Sequence, residues 1–247
     1  MTGDGMSGQD MIFSRDGEIA QIVFNRPKNG NMLTIDMVNR LAAQVTEAGR
    51  DPGVKAILLA ANGDDFCLGR DLSGAPEQAP KTAVEMRDAL TSPILGIYAA
   101  VRGAQIPVVA AVQGLANGFG CAVAAVCDVT IAADNSRFAL PEMSHDLPPT
   151  LAMCAHIDRT MTKSIGWLVY STGQIDAETA RNLGFVSQIV ASDQLKSETD
   201  KFLSGLTERS RVALATCKTY LANARLMETD KAADYAGNLL SVVMSSK

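Results

Sequence analysis

Three short, almost entirely apolar runs constrain the fold of this chain more than any other feature. They are VKAILLA (54–60), VVAAV (108–112) and VTIAA (129–133). Apolar runs of this length without polar alternation are typical of β-strands that are covered on both faces. Segments with helical spacing separate them, so strand, helix and strand follow one another repeatedly. This order predicts an α/β protein built from right-handed βαβ crossovers.

The segments around these runs complete a regular order of elements. Residues 11–14 and 18–24 flank the dipeptide Asp16-Gly17, which indicates a β-hairpin. Thr34 is expected to cap a helix whose apolar side chains recur at helical spacing. The same criteria predict, in chain order, a helix over 82–101, a loop over 113–117 followed by a small-residue helix, a helix over 177–183, a short strand over 186–190 and amphipathic helices from 192 onward.

Length, composition and charge exclude several classes of protein. The 247 residues fit one large domain or one domain with a helical appendage, and 47% of them are apolar. The net charge of −5 argues against a general nucleic-acid binder, which would show a basic face. Charge-free apolar runs of about 18 residues are missing, and residues 1–10 are too polar for a secretory signal. We therefore expect a cytoplasmic protein that binds neither nucleic acid nor membrane.

Five scattered cysteines form neither a CxxC pair nor a spacing typical of metal ligands. We interpret them as small core residues of a protein from a reducing compartment, and we expect no metal site. They are Cys67, Cys121, Cys127, Cys154 and Cys217.

Two segments share one design, in which a buried strand leads through a glycine-containing loop into a helix. They are residues 56–72 and 108–128. Glycine allows the backbone to turn tightly and to approach a ligand closely. A helix start presents unpaired N–H groups, and two such groups that converge on one point would form an oxyanion hole. Taken alone, however, this design also serves as a purely structural connection in many α/β proteins.

Four segments in order resemble the enoyl-CoA hydratase/isomerase (crotonase) superfamily: NRPKNGNML, FCLGRDL, IPVVAAVQGLANGFG and CDVTIAADNSRFALPEM. The similarity covers residues 19–190, and the tail resembles the family's C-terminal helices. The resemblance implies a crotonase-like core, a spiral of ββα turns with an acyl-CoA site, over residues 1–190. It also implies a helical oligomerisation region over 191–247 that forms a homotrimer or a dimer of trimers. The apolar last helix would then be buried against another subunit rather than on its own core.

The resemblance further implies an acyl-CoA substrate whose thioester forms a stabilised enolate. The oxyanion donors would be the backbone amides of Arg70 and Phe119, although the family usually has glycine where Phe119 stands. The Phe119 ring is then expected to shape the acyl pocket. For the Arg70 side chain two interpretations remain open, an ion pair with a nearby acid or a contact to a ligand phosphate or carboxylate.

The family's hydratases use two glutamates, and the resemblance places these positions on Ala122 and Glu142. Alanine cannot carry a proton, so Glu142 is expected to be the single acid/base, unless it is only a surface residue in a turn. One base suffices to shift a double bond, and hydration is not excluded. The alternatives are decarboxylation, hydratase-lyase cleavage, thioester hydrolysis and a catalytically silent acyl-CoA-binding scaffold.

The same resemblance implies the coenzyme A contacts and leaves two polar residues open. His145 is either a second acid/base or a surface or hydrogen-bonded histidine, and Asp146 is interpreted as a turn or helix-start residue rather than a nucleophile. No separate cofactor is expected, because coenzyme A is part of the substrate. The residues expected to bind it are Lys28, Cys67, Leu68, Gly69 and Gly118.

Overall fold

The computed structural model of the chain describes residues 10–73 and 81–245. Its strands are β1 Met11–Asp16, β2 Ile19–Phe24, β3 Ala56–Ala61, β4 Val108–Val112, β5 Leu115–Asn117, β6 Val129–Ala133, β7 Arg137–Ala139, β8 Ile175–Asp176 and β9 Gln188–Val190. Its α-helices are α1 Ile35–Arg50, α2 Ala83–Met86, α3 Ser92–Gly103, α4 Phe119–Val126, α5 Thr150–His156, α6 Thr162–Ser171, α7 Ala177–Leu183, α8 Leu195–Thr207, α9 Arg211–Asn223 and α10 Thr229–Ser245. This is the crotonase-like α/β architecture with a helical C-terminal region that the sequence predicts.

The main sheet has the strand order β1-β2-β3-β4-β6-β9. The predicted hairpin β1–β2 is antiparallel, whereas every later pair in this sheet is parallel. The three apolar runs form β3, β4 and β6, which lie side by side at its centre. A smaller sheet of β5, β7 and β8 stands beside it, and β5 pairs with β7 in parallel.

The central strands are apolar along their whole length because both faces of the main sheet are covered. Ile57 and Leu59 of β3 belong to the larger core with α1, α3 and α4. Leu58 points the opposite way and packs with Leu195 and Leu203 of α8. The alternation of side chains along a strand therefore divides each apolar run between two cores.

Several local predictions are confirmed. Thr34 caps α1, and its hydroxyl accepts a hydrogen bond from the Met37 amide at 3.3 Å. The helix over 177–183 forms as α7, and Gly184 ends it in the left-handed conformation with φ 99°. The C-terminal strand is shorter than predicted, because β9 begins at Gln188.

Three other predictions need correction. The helix predicted over 82–101 contains a π-helical stretch at Arg87–Thr91, directly before Pro93, whose missing N–H disfavours a regular α-helical turn. The loop predicted over 113–117 contains β5. Cys217 is exposed and Cys154 is partly buried, so only Cys67, Cys121 and Cys127 are core residues.

The C-terminal helices attach to the core by polar as well as apolar contacts. Lys218 of α9 donates to the carbonyls of Val101 and Ile106 at 2.7 and 3.1 Å and to Asp128 Oδ2 at 2.6 Å. α10 presents exposed Leu240, Val242 and Met244. The proposed division of the chain at residue 190 stays a prediction, and no helix among the described residues is long and apolar enough to span a membrane.

Candidate active site

In the first glycine loop, which follows β3, Arg70 pairs with Leu33, but its own N–H points away from Leu33. Leu33 and Arg70 form a parallel bridge, in which the Leu33 amide donates to Gly69 O and the Asp71 amide donates to Leu33 O, at 3.0 and 2.9 Å. In such a bridge the N–H of the central residue points to the opposite side. Within the described part of the chain, the Arg70 N–H has no protein acceptor.

The second glycine loop lies directly against the first. The Cys67 amide donates to Leu115 O at 3.2 Å, and the Asn117 amide donates to Cys67 O at 2.9 Å. A Cβ atom on Gly120, in the first turn of α4, would lie 2.1 Å from Cys67 O. Only glycine allows the helix start to approach the first loop this closely.

Phe119 is the first residue of α4, so its amide belongs to the N–H groups that a helix start leaves unpaired. The preceding residue, Gly118, is held by both of its backbone groups: its amide donates to Ala139 O at 2.9 Å, and its carbonyl accepts from the Ala122 amide at 3.0 Å. The Phe119 ring is buried and lies 6.3 Å from the ring of Tyr98, centroid to centroid. The ring therefore packs on α3.

Glu142 lies beside the turn that leads into Phe119. It follows β7 and Pro141 and opens a 3-10 helix, Glu142–His145. A Cβ atom on Gly118 would lie 2.8 Å from Glu142 Oε1. Gly118 has φ 51° and ψ −113°, a conformation that L side chains rarely adopt. Glycine at position 118 therefore provides both the turn and the space for the carboxylate.

The Glu142 carboxylate has the environment of a proton carrier. Its Oε2 atom is buried and has no hydrogen-bond partner among the described residues. Burial raises the pKa of Glu142 above its usual range. A raised carboxyl pKa brings a group closer to the pH at which it can both take up and release a proton. The family position at Ala122 is fully buried within α4 and supplies no such group.

The structure adds to this region Tyr98, which no pattern in the sequence singles out. Its side chain is 1% exposed, and its hydroxyl has no hydrogen-bond partner in the part of the chain that the structure describes. Burial raises the pKa of Tyr98, and smaller contributions come from Cys154, Cys121 and Glu142. An aromatic residue at helical spacing indicates a core position, so only the unpaired hydroxyl distinguishes it.

The residues expected to bind coenzyme A lie on adjoining turns. Lys28 is exposed in a 3-10 helix, Pro27–Asn29, which Gly30 ends. The Leu68 amide donates to Gly30 O at 2.8 Å, so this turn is joined to the first glycine loop. Burial raises the pKa of Cys67 to about 12, so its thiol stays protonated at neutral pH.

The two histidines and Asp146 lie in different environments. His145 and Asp146 are exposed, and Asp146 ends the 3-10 helix with φ 55°. These positions favour the surface and turn interpretations. His156 is fully buried against the edge of Phe185, and burial lowers its pKa to about 4. In the described ranges, no cluster of three or more His, Cys, Asp or Glu residues could hold a metal ion.

A spiral α/β core whose two glycine loops meet beside a partly buried glutamate defines a protein of the crotonase class. The family model for enoyl-CoA hydratase/isomerase matches residues 14–246, and the chain belongs to this family.

Individual relatives agree with this assignment. A protein named probable enoyl-CoA hydratase from Mycobacterium leprae is 34% identical over 198 residues, which are 80% of this chain and 75% of the relative. The crystal structure of an enoyl-CoA hydratase from Mycobacterium smegmatis superposes with a TM-score of 0.88 at 26% identity, over 96% of this chain and 91% of the other. A structure from Thermobifida fusca in complex with CoA is similar in fold, with a TM-score of 0.85 at 23% identity over 96% and 93% of the two chains.

Proposed function

We propose that the protein is an enzyme that acts on unsaturated acyl-CoA thioesters through an enolate, with Glu142 as the single acid/base. The observation that carries this proposal is the position of the Glu142 carboxylate at Gly118, directly before the unpaired Phe119 amide. A proton carrier and a candidate oxyanion donor are thereby held next to each other, on two different segments of the chain. The thioester oxygen would accept hydrogen bonds from the amides of Arg70 and Phe119.

The proposed reaction is a shift of the double bond. Glu142 removes a proton from Cα of a 3-enoyl thioester, and the electrons of that C–H bond move toward the carbonyl oxygen, which becomes the dienolate oxygen. The protonated Glu142 then returns the proton to Cγ, which leaves a 2-enoyl thioester. One carboxyl group completes this cycle, so the absence of a second one at Ala122 does not interrupt it.

Hydration of a 2-enoyl thioester is the second candidate, and the hydratase names of the relatives favour it. It uses the same oxyanion site, but a single carboxyl group must then both activate water and supply the proton to Cα. We therefore expect slower hydration than isomerisation. Mass spectrometry separates the two reactions, because hydration adds the mass of water whereas isomerisation leaves the mass unchanged.

The test is Glu142→Gln, assayed with matched 2-enoyl and 3-enoyl thioesters. We expect kcat to fall by about 10²- to 10⁴-fold, the usual contribution of a general acid/base, while binding of saturated acyl-CoA persists. Glu178→Gln, at an exposed position of α7, is the matched control and should keep wild-type turnover. Full activity of the Glu142→Gln variant would remove Glu142 from the mechanism.

The pH profile supplies an independent check. If proton removal requires the ionised carboxylate, kcat/KM falls on the acid side as Glu142 becomes protonated. Because burial raises its pKa, the midpoint of this fall should lie above the ordinary glutamate pKa of about 4.3. The raised pKa also means that the folded state favours the protonated carboxyl, and this stabilisation is lost as pH rises through the folded-state pKa. At pH 7 the Glu142→Gln variant should therefore unfold at the same or a higher temperature than the wild type.

A further inference from the structure

The guanidinium group of Arg70 lacks a counter-charge within residues 10–73 and 81–245. Its Nε atom is buried without a hydrogen-bond partner, and among the described residues no carboxylate forms an ion pair with it. The neighbouring acid, Asp71, is engaged elsewhere, because Arg26 Nη1 contacts its Oδ2 at 2.8 Å and the Ser73 amide donates to its Oδ1 at 2.8 Å. Among the described residues, the structure therefore favours the second interpretation of the Arg70 side chain, a contact to a ligand, over an ion pair with a nearby acid.

An unpaired and partly buried charge is unfavourable for the free protein. Burial lowers the pKa of Arg70, as expected when part of a cationic group is removed from water. Buried donors are hydrogen-bonded in the large majority of cases, and a cationic group loses more than a neutral one when its hydration is not replaced. A ligand that supplies an anion would satisfy this group.

The bridge with Leu33 directs the Arg70 side chain toward the interior. Residues paired in register extend their side chains on the same side of the ladder, and the Leu33 side chain is fully buried. The Arg70 amide is a proposed oxyanion donor. The amide and the guanidinium belong to the same residue. A substrate whose thioester oxygen accepts a hydrogen bond from this amide therefore lies no further from the guanidinium than the length of the arginine side chain.

The chemistry of the group favours a carboxylate. The planar guanidinium presents two parallel N–H donors that match the two oxygens of a carboxylate, and it remains charged at any physiological pH. A CoA phosphate is the other available anion. Lys28, which is expected to bind coenzyme A, is exposed, whereas the Arg70 Nε is buried, so the acyl end of the ligand is the better match for Arg70.

We propose that Arg70 selects acyl-CoA thioesters that carry a second carboxylate on the acyl group, which its guanidinium binds through paired hydrogen bonds. This inference rests on the proposed function, because it places the acyl group by the thioester contact to the Arg70 amide. It names the substrate class as dicarboxylic acyl-CoA.

The test compares binding of saturated thioesters by isothermal titration calorimetry, so that no turnover is needed. Three probe pairs differ only in the terminal group: malonyl- with propionyl-CoA, glutaryl- with valeryl-CoA, and adipyl- with hexanoyl-CoA. The wild type should bind at least one dicarboxylic probe about 10- to 100-fold more tightly than its neutral match, as expected for charged hydrogen bonds. Arg70→Gln should abolish this ratio, and Arg70→Lys should retain part of it.

The control is Arg181→Gln, which removes the same charge from an exposed position on α7 and should leave the ratio unchanged. Circular dichroism and thermal unfolding establish that each variant is folded. A wild type without preference in any pair, or an Arg70→Gln variant that keeps the preference, would overturn the inference. Equal weakening of free CoA and of both members of each pair would assign Arg70 to a CoA phosphate and would overturn it as well.

These outcomes are separable from failure of the proposed function. If neither 2-enoyl nor 3-enoyl thioesters are converted but the binding ratio depends on Arg70, the catalytic proposal fails and the recognition of dicarboxylic ligands stands. If turnover depends on Glu142 but no ratio is observed, the reverse holds.

Discussion

The candidate active site and the contact between α9 and the core differ in whether their buried polar groups have hydrogen-bond partners. At the attachment, the buried Lys218 ammonium has three acceptors, and Arg211 donates to Gly49 O, Val54 O and Gln105 Oε1. At the site, Arg70 Nε, Tyr98 OH and Glu142 Oε2 are buried without partners among the described residues. The first arrangement stabilises the chain, whereas the second leaves groups available for a ligand. Substitutions in the two regions should therefore separate stability from activity.

The largest effect on stability is expected at the attachment. Lys218→Met keeps the length of the side chain but removes the donor of two carbonyls and the cationic partner of Asp128 Oδ2, which then accepts only from the Val108 amide at 2.8 Å among the described residues. Breaking a buried ion pair of this kind costs about 3 kcal/mol, and urea denaturation measures the loss. Turnover per folded molecule should stay at the wild-type value, because Lys218 lies outside the candidate site.

Lys201→Met is the matched control for this comparison. Lys201 pairs with Glu198 at 3.5 Å on the exposed surface of α8, and such pairs contribute about 0–1 kcal/mol. A Lys218→Met variant no less stable than this control would show that the satisfied contacts of α9 do not hold it to the core.

The next effect concerns the turn that positions Glu142. Gly118→Ala places a Cβ atom 2.8 Å from Glu142 Oε1 in a backbone conformation that alanine rarely adopts. Backbone strain of this kind costs about 1–3 kcal/mol, and the displaced carboxylate should also lower kcat. Denaturation and steady-state kinetics together measure the two losses.

Gly205→Ala provides the control, because a Cβ atom there meets no atom within 4 Å and the position is helical. It should leave stability unchanged or raise it by up to about 1 kcal/mol. If Gly118→Ala behaved in the same way, the carboxylate would not depend on this turn, and the two regions would differ less than their geometry indicates.

Local sequence patterns predict most of the fold because burial and capping act over short distances. The apolar runs that form β3, β4 and β6 are covered on both faces, and Thr34 and Gly184 act on adjacent backbone groups. β5 was missed because its partner β7 lies about 20 residues further along the chain, where local periodicity carries no signal. The π-helical stretch before Pro93 was missed because a helical spacing does not distinguish one type of turn from another.

Part of the candidate site can likewise be predicted from the sequence, and part cannot. Family resemblance points to Glu142, Gly69 and Gly118. In the structure Gly118 lies beside Glu142, and Gly69 lies beside Asn117 of the second glycine loop. The isolation of the Arg70 Nε atom and of the Tyr98 hydroxyl depends on the absence of partners around them in three dimensions, among the residues that the structure describes. No spacing in the sequence reports that absence, since Arg70 has an acid as its immediate neighbour and Tyr98 lies in an apolar helix.

The smallest effect, and the sharpest test of the comparison, is expected from Tyr98→Phe. Because the hydroxyl has no partner among the described residues, its removal breaks no hydrogen bond, and the free energy of unfolding should change by less than about 1 kcal/mol.

If the Tyr98 hydroxyl donates a hydrogen bond in the reacting complex near Glu142, kcat should fall about tenfold, the value of one such bond. Tyr170→Phe, at a residue 80% exposed on α6, is the control and should change neither quantity. Unchanged kinetics would leave Tyr98 as a packing residue, whereas a large loss of stability would reveal a structural partner and place Tyr98 with Lys218 rather than with Glu142.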